Sequence, residues 1–172
     1  MQPSEAAFPR RASITLGSVA CICKRIWLTK AMGLHVCAVD IDDGKLAHAK
    51  CLGADVVVNA NSEGAVESGQ KATNGGAHGV LITAPSLVAF KQGVSMTRKW
   101  GTCVLLGLPP GEFHTPLFDV VAKCITIHGS FVGNRRDMAE ALSFAVNGKV
   151  KADIAGWHRR STAAPLCAPP GR

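Results

Sequence analysis

Short apolar runs alternate along the chain with segments of helical periodicity from about residue 31 onward. Runs that are apolar on both faces are typical of strands buried in a parallel sheet, and i, i+3, i+4, i+7 spacing is typical of the helices that cover them. The predicted strands are residues 35–39, 56–58, 79–83, 101–106 and 124–128, and the predicted helices are 43–52, 62–71, 86–94 and 138–145. Right-handed crossovers make this an α/β fold with a doubly wound parallel sheet.

Helix boundaries carry recognisable end signals. Asp42 and Asp43 are natural N-caps for the first of these helices, and Gly53 is placed to end it. Ser86 is the corresponding cap of the third helix, and Gly148 ends the last one. The apolar positions expected to follow one helix face are Leu46, Ala49, Leu52, Leu87, Phe90, Val94, Met138, Ala141, Leu142 and Ala145.

Composition limits the class of protein. The 172 residues are 47% hydrophobic and 18% charged, with a mean hydropathy of +0.18. These values exclude a disordered, collagen-like or coiled-coil chain. The longest predominantly apolar runs without charge, 12–23 and 77–90, are shorter than the ~18–20 residues that a membrane-spanning helix needs. We therefore expect a soluble globular protein with no membrane partner.

The basic excess lies at the two ends of the chain. The net charge is +7, yet residues 31–150 contain ten Lys or Arg and ten Asp or Glu. A nucleic-acid-binding surface requires basic residues clustered on one face of an element, with aromatic residues that can stack on bases. No predicted helix or strand has that pattern, so we expect no nucleic-acid partner.

Seven cysteines form an odd set without framework spacing. Cys37, Cys51, Cys103 and Cys124 lie in apolar segments, where a reduced cysteine behaves as a small hydrophobic residue. This usage favours a reducing, cytoplasmic location. The alternative is an export or lipid-anchor signal, loosely suggested by the basic pair and apolar run within residues 10–21.

Asp40 is the sharpest chemical signal in the chain. It follows a predicted buried strand, where a carboxylate can accept both hydroxyls of an adenosine ribose. The same negative charge repels a 2′-phosphate and favours NAD over NADP. The alternative is an ordinary strand-end or capping aspartate, just as Lys45 by itself could be a solvated surface lysine.

Other chemical motifs are missing from the sequence. Between residues 12 and 33 the only glycines are Gly17 and Gly33, so no G-x-G-x-x-G motif precedes Asp40. No P-loop, nucleophile elbow or H-E-x-x-H motif occurs. Cys21 and Cys23 are too close for the usual zinc-ligand spacing, and no second pair exists. We therefore predict neither a metal site nor a catalytic residue.

Seven segments in collinear order nevertheless match sequence motifs of a known family. They are 30–36, 39–42, 52–55, 75–80, 101–109, 129–135 and 139–142. Together they resemble the cofactor-binding half of zinc-dependent alcohol dehydrogenases in the medium-chain dehydrogenase/reductase superfamily. The resemblance covers about residues 29–152 and implies a Rossmann-like NAD-binding domain.

The resemblance assigns NAD contacts position by position. Asp40 would bind the adenosine ribose, and Lys45 would assist at its 3′-hydroxyl. Strand-end residues would line the ribose–nicotinamide pocket, and two backbone segments would hold the nicotinamide carboxamide. The strand-end residues are Thr83, Ala84 and Pro85, and the backbone segments are Leu106, Gly107 and Leu108 with Ser130, Phe131 and Val132.

The resemblance fails at both edges. Of the family's glycine motif only Gly17 survives, and no counterpart of the zinc-bearing catalytic domain is found. We expect a divergent segment over 1–28 with a damaged first strand, a dinucleotide-binding domain over 29–152, and a basic, Pro-rich, disordered tail over 153–172. Loss of the first strand would expose a sheet edge. Truncation or a frame change of a once-complete gene would explain both edges.

These features favour one function and leave two alternatives. The favoured one is the cofactor-binding portion of an NAD-dependent alcohol dehydrogenase that alone oxidises no alcohol and binds NAD weakly or not at all. The first alternative is a non-catalytic module that pairs with itself or with a full-length relative, through contacts near residues 124–132. The second is a fragment of a zinc-free, quinone-type reductase. Whether the chain is an enzyme is left open.

Overall fold

The computed structural model describes residues 12–16 and 26–148. Six strands form one sheet: β1 (Ala12–Leu16), β2 (His35–Asp40), β3 (Val56–Asn59), β4 (Ala77–Ile82), β5 (Thr97–Leu105) and β6 (Thr126–Gly129). The helices are α1 (26–31), α2 (Asp43–Cys51), α3 (Ala65–Ala72), α4 (Leu87–Met96), α5 (Leu117–Lys123) and α6 (Arg135–Val146). The predicted α/β fold is thereby confirmed.

All neighbouring strands are parallel, in the order β3-β2-β1-β4-β5-β6. The chain runs outward from β1 to β3, crosses back through α3 to β4, and then runs outward to β6. The order therefore reverses between β1 and β4. In such sheets ligands bind outside the carboxyl ends of the strands near the reversal.

The sheet separates two hydrophobic clusters. Successive strand residues point to opposite faces, and β2 shows the alternation clearly. Cys37 and Val39 belong to the larger cluster, which lies under α3 and α4, whereas Val36 and Ala38 belong to the smaller one with α1 and α2. All four are at most 1% exposed, so β2 is buried on both faces.

The prediction that the first strand is damaged or lost is wrong, because residues Ala12–Leu16 form β1. Residues 12–16 form the centre of the sheet, paired with β2 and β4, and the backbone N–H of Ala12 donates to Nδ1 of His78 at 3.1 Å. The expectation rests on the altered glycine motif after this segment, but the strand forms although Ser13 and Thr15 alternate with its apolar residues. Both are buried, at 7% and 0% exposure.

Several element boundaries also differ from the sequence prediction. Strand β5 begins at Thr97, four residues earlier than expected, and passes through Trp100 at a positive φ of 60°. Cys124 is expected in the last strand, but it caps the C-terminus of α5 with φ 51°. Helix α3 begins after Gly64, whose φ of 75° ends the preceding turn. The helices α1 and α5 are absent from the sequence prediction.

The apolar positions of α6 do not face the core as expected. Met138 is 62% exposed and Leu142 is 57% exposed, and no residue of α6 is buried. The helix is nevertheless well capped, because Asn134 and Asp137 form a reciprocal capping box. The helix thus has clear end signals although it buries none of its residues.

The cysteine expectation is correct for two of the four residues in apolar segments. Cys37 and Cys103 are free and fully buried, whereas Cys124 is free but exposed. Cys51 is disulfide-bonded, which overturns its prediction as a reduced hydrophobic residue. Within the described ranges, no helix is long and apolar enough to cross a membrane.

Some expectations concern residues outside the described ranges. They are Gly17, the tail 153–172, and the run 10–21 considered as an export signal, of which only the β1 residues 12–16 are described.

Candidate functional site

A cleft of about 470 Å³ opens at the carboxyl end of the sheet, between the ends of β2 and β3 and the start of α4. This volume lies in the range of ~300–1,000 Å³ that is usual for small-molecule sites. The lining residues are Val39, Asp40, Ile41, Lys45, Ala60, Asn61, Ala84, Pro85, Ser86, Val88, Ala89 and Gln92. The cleft lies on the β2 side of the strand-order reversal.

Asp40 is the last residue of β2 and lines this cleft. Its side chain is only 5% exposed. Its Oδ1 atom accepts hydrogen bonds from the backbone N–H groups of Ile41 at 2.8 Å and Asp42 at 3.2 Å. Both bonds end on one oxygen, so Oδ2 keeps its lone pairs for another donor. The carboxylate is thus fixed in orientation and still able to accept.

Lys45 stands one turn into α2, on the same side of the cleft. Its Nζ lies 4.0 Å from Oδ1 of Asp40, and its side chain is 34% exposed. The helix start places it there, because the side chain of Asp42 accepts a hydrogen bond from the backbone N–H of Lys45 at 3.2 Å. The ammonium group is close enough to the cleft to contact a ligand held by Asp40.

The segment after β4 forms the opposite side of the site. Ala84 and Pro85 line the cleft, whereas Thr83 does not. The backbone of Gly107 packs against this segment so closely that a Cβ there would lie 2.5 Å from the Ala84 carbonyl oxygen and 3.2 Å from that of Thr83. Only glycine permits this contact.

Backbone hydrogen bonds continue the edge from β4 to β6. Leu106 and Gly107 donate to the Ile82 carbonyl at 2.9 and 3.0 Å, and Ser130 donates to the Leu105 carbonyl at 2.9 Å. The two segments assigned to the nicotinamide carboxamide therefore follow neighbouring strand ends. They lie at the same sheet edge as Asp40 but do not line its cleft.

The remaining predicted positions in these segments are open to solvent. Leu108 is 74% exposed, Phe131 is 75% exposed and Val132 is 81% exposed. Val132 also has a positive φ of 44°, which is uncommon for a β-branched residue. Their side chains pack little, so any role in binding falls to their backbone groups.

Sequence reasoning missed several cleft residues. Ile41 and Val88 are 63% and 64% exposed apolar side chains of the cleft, and Asn61 and Gln92 add polar groups. Ile41 could have been found, because it directly follows Asp40. Asn61 follows β3, and Val88 and Gln92 both lie on α4, so their meeting with Asp40 requires the folded sheet.

The described residues contain no candidate metal site. No group of three or more His, Cys, Asp or Glu side chains among residues 12–16 and 26–148 is placed to hold a metal ion. Burial raises the pKa of Cys37 to about 12 and that of Cys103 to about 11, although a hydrogen bond with Thr97 lowers the latter. Such thiols stay protonated at neutral pH and are poor ligands and nucleophiles.

The strand order, the parallel sheet and the cleft at its carboxyl edge define a Rossmann-like α/β protein. A sequence profile described as "Zinc-binding dehydrogenase" matches residues 25–147. The chain belongs to this zinc-binding dehydrogenase family, as its resemblance to medium-chain dehydrogenases predicted, and the match covers the family's cofactor-binding domain. A dehydrogenase family implies a nicotinamide dinucleotide cofactor.

Similar proteins support the same assignment. An alcohol dehydrogenase of Moraxella sp. (strain TAE123) is 56% identical over 124 residues, which is 72% of this chain and 36% of the relative. An alcohol dehydrogenase of Rhizobium meliloti (strain 1021) is 55% identical over 130 residues, or 76% of this chain and 38% of the relative. The chain thus spans well under half the length of these relatives.

Solved structures show the same fold. Benzyl alcohol dehydrogenase from Acinetobacter calcoaceticus superimposes with a TM-score of 0.76 at 25% identity, covering 84% of this chain and 41% of that one. The alcohol dehydrogenase of Aeropyrum pernix gives a TM-score of 0.71 at 27% identity, with 84% and 42% coverage.

Proposed function

We propose that this chain is the NAD-binding portion of an NAD-dependent alcohol dehydrogenase and oxidises no alcohol by itself. The observation that supports this most directly is the Asp40 carboxylate, 5% exposed, held by two backbone N–H groups at the edge of a cleft. The proposed location is the cytoplasm, and the proposed dinucleotide-binding domain is residues 29–152.

The adenosine ribose suits this carboxylate chemically. A ribose presents two adjacent hydroxyl donors, and a carboxylate can accept both. Lys45, whose Nζ is 4.0 Å from Oδ1, supplies a donor for the 3′-hydroxyl oxygen. A 2′-phosphate would bring negative charge against a desolvated carboxylate, so NAD should be preferred over NADP.

The nicotinamide end would use backbone groups of the two segments after β5 and β6. Backbone donors and acceptors suit a carboxamide, because they fix the ring orientation without depending on side chains. We assign this role to Leu106, Gly107 and Leu108 and to Ser130, Phe131 and Val132. The glycine turn expected near Gly17 would cradle the pyrophosphate, and its altered sequence predicts weak binding.

When bound, NAD accepts a hydride from the alcohol carbon. The described residues would supply adenosine binding and ring orientation, but they offer no group of three or more His, Cys, Asp or Glu side chains placed to hold zinc. Alcohol oxidation would therefore need groups that these residues do not provide. The substrate alcohol is not specified by this part of the structure.

The test is a titration of the full chain with NAD and with NADP. Binding is measured by isothermal titration calorimetry or by NMR at millimolar ligand concentration. We expect weak NAD binding, weaker NADP binding, and loss of the NAD signal in Asp40→Asn. The matched control is Glu63→Gln, which neutralises an exposed carboxylate that does not line the cleft. Equal NAD affinity in Asp40→Asn and the parent chain would contradict the proposal.

The inactivity of the isolated chain needs its own assay. We expect no rise at 340 nm with ethanol or benzyl alcohol and NAD, with or without added zinc. Zinc-dependent NADH formation by the purified chain would contradict this part of the proposal. Turnover of a quinone without zinc would instead favour the quinone-type reductase.

A second candidate function is an oligomerisation module with the same fold. It is favoured by exposed apolar side chains of α5, the helix that precedes β6 in the chain, since Leu117 is 73% exposed, Phe118 is 83% exposed and Val121 is 68% exposed. β6 is also the outermost strand of the described sheet, with one edge unpaired. Sedimentation of the chain and of Phe118→Ser would test it, and a monomeric parent chain would argue against self-association.

A further inference from the structure

We infer that Gln92 reads the base of the bound nucleotide, by accepting a hydrogen bond from the 6-amino group of adenine. This inference rests on the proposed function, because it requires the adenosine half of NAD to occupy the cleft beside Asp40. It concerns a different part of the ligand, since Asp40 contacts the sugar and Gln92 would contact the base.

The orientation of the Gln92 amide is set by its neighbour. Its Nε2 donates to the backbone carbonyl of Ala60 at 3.2 Å. A carbonyl oxygen can only accept, so the amide nitrogen must face Ala60. Rotating the amide by 180° would set two acceptors against each other. The acceptor Oε1 is therefore held on the other side of the amide.

That acceptor has capacity to bind a ligand. Gln92 lines the cleft, and its Oε1 accepts no hydrogen bond from the described residues. The Oε1 atom is also not fully buried, so a ligand in the cleft can reach it. An oriented acceptor in a cleft with apolar walls selects a ligand that presents a donor there.

Asp40 and Gln92 are connected through Ala60. The backbone N–H of Ala60 donates to the Asp40 carbonyl at 2.9 Å, and the Ala60 carbonyl accepts from Gln92. Two consecutive hydrogen bonds thus link the residue proposed for the ribose to the residue proposed for the base. The end of β3 therefore helps to position the Gln92 amide relative to the end of β2, where Asp40 lies.

The remaining walls suit a planar base. Ile41 and Val88 expose apolar side chains in the same cleft, at 63% and 64% exposure, and can cover the two faces of a ring. With the ring so placed, the polar atoms of the base edge decide the choice between purines. Adenine has an amino donor at C6, whereas hypoxanthine has a carbonyl acceptor that would oppose Oε1.

The experiment compares adenosine and inosine 5′-monophosphates, which differ at this position of the base. Both probes carry the same 5′-phosphate, so any effect of the glycine turn near Gly17 is common to the two and cancels in the comparison. Titrating the ¹⁵N-labelled full chain at millimolar ligand, we expect inosine monophosphate to bind about fivefold more weakly, the effect of one net hydrogen bond. This comparison of ligands needs no variant and so does not depend on a variant folding.

Variants then locate the discrimination. Gln92→Leu should bind both nucleotides with equal affinity, at the weaker level. The matched control is Gln70→Leu, because Gln70 also donates its Nε2 to a backbone carbonyl, that of Ser95 at 2.8 Å, but does not line the cleft. It should keep the fivefold preference. Equal loss in both variants would indicate general loosening and overturn the inference.

The outcomes separate the two proposals. If adenosine monophosphate binds in an Asp40-dependent manner but inosine monophosphate binds equally well, the inference about Gln92 is overturned and the proposed cofactor site stands. If neither nucleotide binds at millimolar concentration, both are overturned. Preference for adenosine that disappears only in Gln92→Leu supports both.

Discussion

The backbone of Gly107 lies against the carbonyl of Ala84, so that a Cβ at Gly107 would approach the Ala84 oxygen to 2.5 Å. This contact joins the segment after β5 to the side of the cleft that follows β4. The spacing of two proposed cofactor-binding segments therefore depends on the absence of one methyl group.

Gly107→Ala should be destabilising. The added carbon meets backbone atoms, which cannot move aside as a flexible side chain can, and overpacking of this kind lowers the free energy of unfolding by about 1–3 kcal/mol. Urea denaturation measures it. Gly79→Ala is the control, because a Cβ at Gly79 would meet no atom within 4 Å and the φ of this residue is not positive. If both variants are equally stable, the close contact is not a constraint.

Trp100→Gly should stabilise the chain. Trp100 is 82% exposed and has a φ of 60°, so it contributes little burial while its Cβ strains the backbone. The left-handed conformation costs an L-residue ~1–2 kcal/mol, and the greater chain entropy of glycine offsets ~0.5–1 kcal/mol of the relief. We expect a net gain of about 0.5–1 kcal/mol by thermal or urea denaturation.

The control for this substitution is Trp100→Ala, which removes the indole but keeps the Cβ. It should give no gain if backbone strain is the cause. A gain of the same size in both variants would instead show that the exposed indole is the unfavourable group.

Asp55→Asn should destabilise the chain at neutral pH. Its Oδ1 accepts from Nζ of Lys30 at 2.8 Å, and its Oδ2 accepts from the backbone N–H of Val36 at 2.7 Å. Partial burial alone would raise the pKa of Asp55, but these hydrogen bonds and the nearby positive charges outweigh it and hold the pKa below its usual value. The pair is partly exposed, so we expect a loss of about 1 kcal/mol.

The same linkage fixes the pH dependence. A lowered folded-state pKa means that this stabilisation is complete above about pH 4 and is lost as the pH falls through the folded-state value. Urea unfolding at pH 7 and pH 2.5 should show the difference between Asp55→Asn and the parent chain shrinking at low pH. Glu140→Gln, which breaks the exposed pair with Arg136, should cost less than about 0.5 kcal/mol at either pH.

Thiol labelling should distinguish buried from exposed cysteines. Burial holds Cys37 and Cys103 as thiols, with a pKa of about 12 and about 11. At pH 8, iodoacetamide followed by peptide mapping should modify Cys124 and leave these two intact until urea is added. Rapid labelling of Cys37 in the folded chain would contradict the burial of β2.

These raised pKa values also predict a loss of stability in alkali. The folded state keeps protons that an unfolded thiol releases from about pH 9, so the contribution present below pH 9 declines as the pH rises toward 11–12. A Cys37→Ala variant should show a shallower decline in its unfolding free energy than the parent chain over that range.

Much of the fold was predictable because the sequence carries local signals that the structure uses directly. Asp42 caps α2 through a hydrogen bond to the N–H of Lys45, and Gly53 follows with a φ of 98°. The central strand β1 was not predictable, because its alternation of polar and apolar residues is that of a half-exposed strand. Ser13 and Thr15 are buried because β1 lies in the interior of the folded sheet, a long-range placement that the local pattern does not show.

The candidate site likewise contains residues that the sequence predicts and residues that it does not. Asp40 could be predicted, since a carboxylate directly after a buried strand must lie at the sheet edge. Gln92 could not, because its contact with Ala60 spans 32 positions of the chain and depends on where α4 crosses the end of β3. Long-range contacts of this type leave no periodic signal in the sequence.

The position of β1 has a consequence for how the described sheet unfolds. Among the described strands only β1 hydrogen-bonds to both β2 and β4, so its five residues join a two-stranded half to a three-stranded half. Proteolysis or substitution within Ala12–Leu16 should therefore convert a single cooperative transition into two, one for each half-sheet.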